Sequence, residues 1–146
     1  MLAEKRQGKG AERKMSETEI AGEDNTLVSD LLVSIGVSPS LNGFGYLKEA
    51  IFVYDKNAGE MNAVYEEVGK KYGAKATAVE RAMRSALKRA NKRGMLQRLN
   101  EFLSTEYVKP GIKIINKEFV SIIAEYMRAD YFKTLLRTNL ANRKRY

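Results

Sequence analysis

Residues 63–94, AVYEEVGKKYGAKATAVERAMRSALKRANKRG, decide how this chain is read. The stretch divides at Gly73 into two amphipathic segments. The first, over about residues 61–72, sets Met61, Val64, Tyr65, Val68 and Tyr72 on one face. The second, over about residues 76–92, does the same with Val79, Ala82, Met83, Ala86, Leu87 and Ala90. Three- and four-residue spacing is the signature of a helix with one side buried. The other side of the second helix is polar and cationic. From Lys75 to Arg98 eight Lys or Arg stand against one acid, Glu80, so this segment holds +7 of a chain whose net charge is +8. Solvated surfaces ordinarily mix both signs, so the concentration predicts a polyanionic partner.

The small residues make the pairing specific. A helix-turn-helix unit needs a small residue inside its first helix, a turn residue that accepts positive φ, and an apolar plug inside its second helix. Gly69, Gly73 and Val79 stand at those places. Glycine inside a helix costs about 1 kcal/mol relative to alanine, so Gly69 implies a close approach. The unit is placed at residues 61–93. The first part of a recognition helix reaches base edges while its flanks hold phosphates. Thr77, Glu80, Arg81, Arg84 and Ser85 are therefore the candidate base contacts. Arginine reads guanine with two hydrogen bonds, and Glu accepts from the cytosine amino group. Lys75, Lys88, Arg89, Lys92 and Arg93 are the candidate phosphate contacts. Glu80 has a second reading, as the partner of Arg84 four residues on.

Outward from this unit, every segment with periodicity reads as helix. Residues 26–35, capped by Asp24 or Asn25 and ended by Gly36, present Leu27, Leu31, Leu32 and Ile35. Asn42-Gly43 reads as a turn, and residues 44–56 as a helix with Tyr46, Leu47, Ala50, Ile51 and Tyr54 inward. A shorter helix covers 95–104, and residues 108–115, broken by Pro110-Gly111, form a loop or small hairpin. Asn116 caps a last helix with Phe119, Ile122, Ile123 and Tyr126 inward, continuing through Tyr131, Leu135, Leu136 and Leu140 to a basic end. The predicted class is all-α, with residues 24–130 as the domain and 131–146 as a helical extension. Residues 1–23 separate a basic block (Lys5, Arg6, Lys9, Arg13, Lys14) from an acidic one and read as a flexible, disordered arm with fleeting helix over residues 11–20.

Composition narrows the chemistry. The chain has 146 residues, no Cys and no His, so no thiolate metal site, no disulfide framework and no imidazole base is expected. Carboxylate-only catalysis needs a metal-binding cluster, and Asp occurs only at 24, 30, 55 and 130. Catalytic residues, metals and cofactors are each predicted as none, and no small-molecule substrate is expected. No apolar run approaches the roughly 20 residues that span a bilayer. The apolar face of the basic helix holds too many alanines to insert deeply in a membrane surface.

The run Ala76-Thr77-Ala78-Val79-Glu80-Arg81-Ala82-Met83-Arg84 resembles the recognition helix of the C-terminal effector domains of sporulation master response regulators (stage-zero sporulation protein A). Ile35-Gly36-Val37 followed by Gly45-Tyr46-Leu47-Lys48-Glu49-Ala50-Ile51 resembles that family's first helix exit and second helix. Residues 65–71 resemble its third helix, and Asn116-Lys117-Glu118-Phe119-Val120 the start of its last. The resemblance runs from about residue 27 to 128 in the family's order. It implies a six-helix DNA-binding domain, with the helix-turn-helix in helices three and four. Such domains bind short duplex sites, often as tandem copies in promoters, and activate or repress transcription. Glu80, Arg81 and Arg84 match positions of the family's recognition helix, whereas Ala78 and Ser85 stand where it has an Arg and a His. The resemblance therefore implies a target sequence different from that of relatives. About 24 residues before the domain are too few to build the family's receiver domain, so an effector domain without receiver control is expected. The implied partner is double-stranded DNA, bound as a homodimer or as tandem copies, in the bacterial cytoplasm at the nucleoid. The alternative is a non-catalytic interaction module or antagonist that competes for promoter sites or pairs with a full-length response regulator.

Overall fold

Residues 16–144 are described in the computed structural model of the chain, and regular structure among them is entirely helical. Seven α-helices follow one another among the described residues: α1 (Glu17–Ser34), α2 (Asn42–Val53), α3 (Met61–Tyr72), α4 (Ala76–Lys92), α5 (Arg98–Leu103), α6 (Asn116–Arg128) and α7 (Asp130–Lys144). A 3-10 turn, Asp55–Asn57, links α2 to α3. The all-α class is the one the periodicity predicts. The basic block at residues 5–14 and Arg145 of the basic end lie outside the described residues. No helix among the described residues is long and apolar enough to cross a membrane.

The core gathers the predicted stripes. Leu31, Leu32 and Ile35 of the α1 end, Leu47 and Ala50 of α2, Val64 and Val68 of α3, Val79 and Met83 of α4, and Phe119 and Ile123 of α6 are buried together. α2 lies at the centre, touching α1, α3, α4 and α6. Tyr72 departs from its stripe. It is 44% exposed and packs edge-on against Tyr46, ring centroids 5.2 Å apart, because it sits on the last turn of α3 where the chain leaves the core.

Three boundaries differ from the sequence expectation, each for a definable reason. α1 starts at Glu17 rather than near residue 26, so residues 17–23 are helix and not part of a disordered arm. Ser16 Oγ accepts from the Glu19 amide at 3.1 Å while the Glu19 carboxylate accepts from the Ser16 amide at 2.9 Å. That reciprocal capping box supports two turns that contain no buried side chain. Asn42 and Gly43 are not a turn but the first residues of α2. A Cβ on Gly43 would meet the Ala82 carbonyl oxygen at 2.5 Å and the Ala86 Cβ at 2.8 Å. This glycine marks the point where the backbones of α2 and α4 touch.

The third difference is the break at Ala129, which is extended at φ −117°, ψ 129° and divides the predicted last helix into α6 and α7. A continuous helix would carry Leu136 and Leu140 into water; the break turns α7 back onto α5, α6 and α1 and buries both in the common core. The Asn139 amide donates to the carbonyls of Glu101 at 3.2 Å and Phe102 at 2.9 Å, satisfying the open end of α5. Lys133 pairs with Asp24 of α1 at 3.2 Å, both side chains largely buried. α7 thus packs against α1, α5 and α6, and the described residues hold seven helices where six were expected; Tyr131, expected on the inward stripe, is 73% exposed on the first turn of α7. The β-prone residues 108–115 form no strand. Instead the Asn100 side chain donates to the Val108 carbonyl and accepts from its amide, both at 2.7 Å, standing in for a strand partner.

Candidate nucleic-acid interface

The turn between α3 and α4 is built from two glycines with different tasks. Gly73 ends α3 in the left-handed region at φ +68°, with open space around its α-carbon, so its requirement is conformational. Gly69 has an ordinary helical backbone, but a Cβ there would lie 2.3 Å from the Ala74 carbonyl oxygen. The Ala74 amide in turn donates to the Gly69 carbonyl at 2.8 Å. The close approach predicted for Gly69 is therefore made by the turn's own backbone. Val79 is fully buried in the core beside these elements, as the plug position requires. Lys75 starts α4 with no side chain capping its first turn, which leaves amide donors and the positive end of the helix dipole facing outward.

α4 then presents its polar side to solvent. Thr77, Arg81, Arg84, Ser85, Lys88, Arg89 and Lys92 are all exposed, with Lys75 at the head of the helix. The spacing 77, 81, 84, 88, 92 keeps these side chains on one side for about 22 Å at 1.5 Å per residue. Ala78 is exposed beside them, so the absence of a longer side chain there is a feature of the surface itself. Glu80 is half-buried at the edge of the stripe. Its carboxylate accepts from Arg84 Nε at 3.0 Å and Nη2 at 3.3 Å, and this bond raises the Arg84 pKa. Of the two readings of Glu80, the pairing with Arg84 is the one the structure shows.

Arg93 belongs to a different environment. Its guanidinium donates to the Gly36 carbonyl at 3.3 Å, and Arg98 likewise donates to Ser34 at 3.3 Å. Both tie the exit of α4 to the carbonyl end of α1. Of the five predicted phosphate contacts, Arg93 is the one whose donors are partly committed to the fold.

Two residues were missed in the sequence. Lys113, from the loop before α6, lines one groove with Arg84, Lys88 and Asn91 and enlarges the cationic surface. Only the folded chain brings it there, because its loop has no periodicity. Asn116, expected as a helix cap, is instead the first residue of α6 and is buried. Its amide donates to the Tyr65 hydroxyl oxygen at 3.3 Å and to the Glu80 carbonyl oxygen at 3.1 Å. Burial raises the Tyr65 pKa, keeping the phenol neutral at this junction.

Acidic groups collect elsewhere. The groove between α1 and α7 is lined by Glu19, Glu23 and Asp30 with Arg137. Among the described residues no group of three or more His, Cys, Asp or Glu is placed to hold a metal. The α4 face offers guanidinium, ammonium, hydroxyl and amide donors, and the chemistry such a set performs is recognition of anions and base edges. A protein-family model described as sporulation initiation factor Spo0A C terminal matches residues 28–127, from within α1 to the last turn of α6, and leaves α7 outside.

Proposed function

We propose that this chain, which belongs to the sporulation initiation factor Spo0A C-terminal family of DNA-binding effector domains, regulates transcription by reading double-stranded DNA with α4 in the major groove. In this reading α3 and α4 form the helix-turn-helix. Thr77, Glu80, Arg81, Arg84 and Ser85 face base edges, while Lys75, Lys88, Arg89, Lys92 and Lys113 grip phosphates. Arg93 adds to the phosphate grip through the guanidinium donors that its bond to the Gly36 carbonyl leaves open. The observation that carries the proposal is the exposed, acceptor-poor cationic stripe of α4, on a helix packed against α2, α3 and α6. A major groove about 12 Å wide admits such a helix, and backbone phosphates attract its flanking cations.

Selection of bound duplexes from a random library tests this reading. One strongly enriched motif is the expected result; flat enrichment contradicts sequence reading by α4. Binding as a homodimer or as tandem copies is part of the proposal. Sedimentation of complexes on one-site and two-site versions of the winning duplex counts the copies.

A further inference from the structure

Asn116 is buried, 6% exposed, although its side chain is a polar amide. It stands where three helices meet. It begins α6, and a single amide nitrogen spans the Tyr65 oxygen of α3 and the Glu80 carbonyl of α4. The Glu80 carbonyl is a backbone group on the helix proposed to read DNA, one residue before Arg81. Carbonyl oxygens carry two lone pairs, so this bond adds to the helical one rather than replacing it. The start of α6 is itself held, since the Ile115 amide donates to the Glu118 carboxylate at 3.3 Å. The Asn116 side-chain oxygen, Oδ1, is buried without a hydrogen-bond partner, which works against folding. An apolar residue would fill the space without that penalty. A buried, directional bond is the device that selects one arrangement of packed helices over its neighbours.

We propose that Asn116 is a positioning residue that fixes the axial and rotational setting of α4, and so determines which base pairs Glu80, Arg81 and Arg84 face. The proposal rests on the reading of α4 as the DNA-recognition helix. The buried side of α4 mixes Ala86 and Ala90 with Val79, Met83 and Leu87, and apolar contacts of this kind are non-directional, so they oppose small slides less sharply than a hydrogen bond does. The amide bond of Asn116 resists them, because a displacement of about 1 Å takes a 3.1 Å contact out of hydrogen-bond range.

Asn116→Leu removes the donor and keeps an apolar filling; Asn116→Ala removes the same donor without added bulk and carries the same test where Asn116→Leu does not fold. Each folded variant, checked by circular dichroism and its thermal midpoint, is titrated against the duplex selected by the wild-type chain and against a scrambled duplex. The expected result is an affinity for the selected duplex reduced by about tenfold in Asn116→Leu and in Asn116→Ala alike. Affinity for the scrambled duplex and its salt slope should be unchanged, because the phosphate contacts are untouched. A merely structural role would lower the melting point and leave the ratio of the two affinities where it was; an unchanged ratio in a folded variant overturns the proposal. If the wild-type chain itself selects no motif, the reading of α4 fails first and this proposal falls with it.

Discussion

Glu80 and Arg84 satisfy each other in the free protein, so any base or phosphate that takes Arg84 must compete with a carboxylate already bonded to it twice. Removing that carboxylate separates affinity from discrimination. Glu80→Ala should raise affinity for random duplex by about threefold and lower the ratio between selected and random duplex, read by anisotropy titration over a salt series. An unchanged ratio would show that the pair has no part in reading. Arg81 makes no hydrogen bond or ion pair within the described residues and is exposed at the middle of the stripe. Arg81→Ala should therefore cost about 1–3 kcal/mol on the selected duplex, relax preference at one base pair, and leave the melting point alone. Wild-type affinity in that variant contradicts its assignment as a base reader. At this scale the exposed face of α4 was legible, because helical spacing and charge sign both act locally. Lys113 and Asn116 were not, because their roles exist only where distant segments meet.

Elements were legible wherever apolar periodicity marked them and uncertain where other forces set their ends. The capping box of α1 is written plainly as Ser16 and Glu19, but the turns it starts are exposed and polar, so periodicity was silent there. Asn42-Gly43 carries a strong turn signal that is overridden by contact, because α4 packs too close to α2 for any side chain at position 43. The two glycines of the α3–α4 connection make a graded prediction. Gly73→Ala meets open space and only the strain of φ +68°, a cost of about 1 kcal/mol. Gly69→Ala drives a methyl to 2.3 Å from the Ala74 carbonyl and must open the turn, costing about 1–3 kcal/mol or more. Urea denaturation of the two variants should rank Gly69→Ala as the more damaging. The reverse order would mean that conformation, and not close approach, governs this connection.

On the scale of the whole molecule the charge is sorted. Cations line α4 and the nearby Lys113, while the groove between α1 and α7 sets Glu19, Glu23 and Asp30 beside Arg137. The all-α class and the order of the helices could be read from the sequence because each helix carries its own stripe. The return of α7 could not, since a stripe states that a face is buried without stating against what. That return places α7 against α1, α5 and α6 and leaves the polar side of α4 open. Sorting of this kind predicts that DNA approaches from one side only. The most direct measurement is the change in backbone amide chemical shifts of the isotopically labelled chain on titration with the selected duplex. The account predicts the largest changes from Lys75 through Lys92 and at Lys113, with α7 and the first turns of α1 nearly silent. Large changes along α1 and α7 with α4 undisturbed would contradict it.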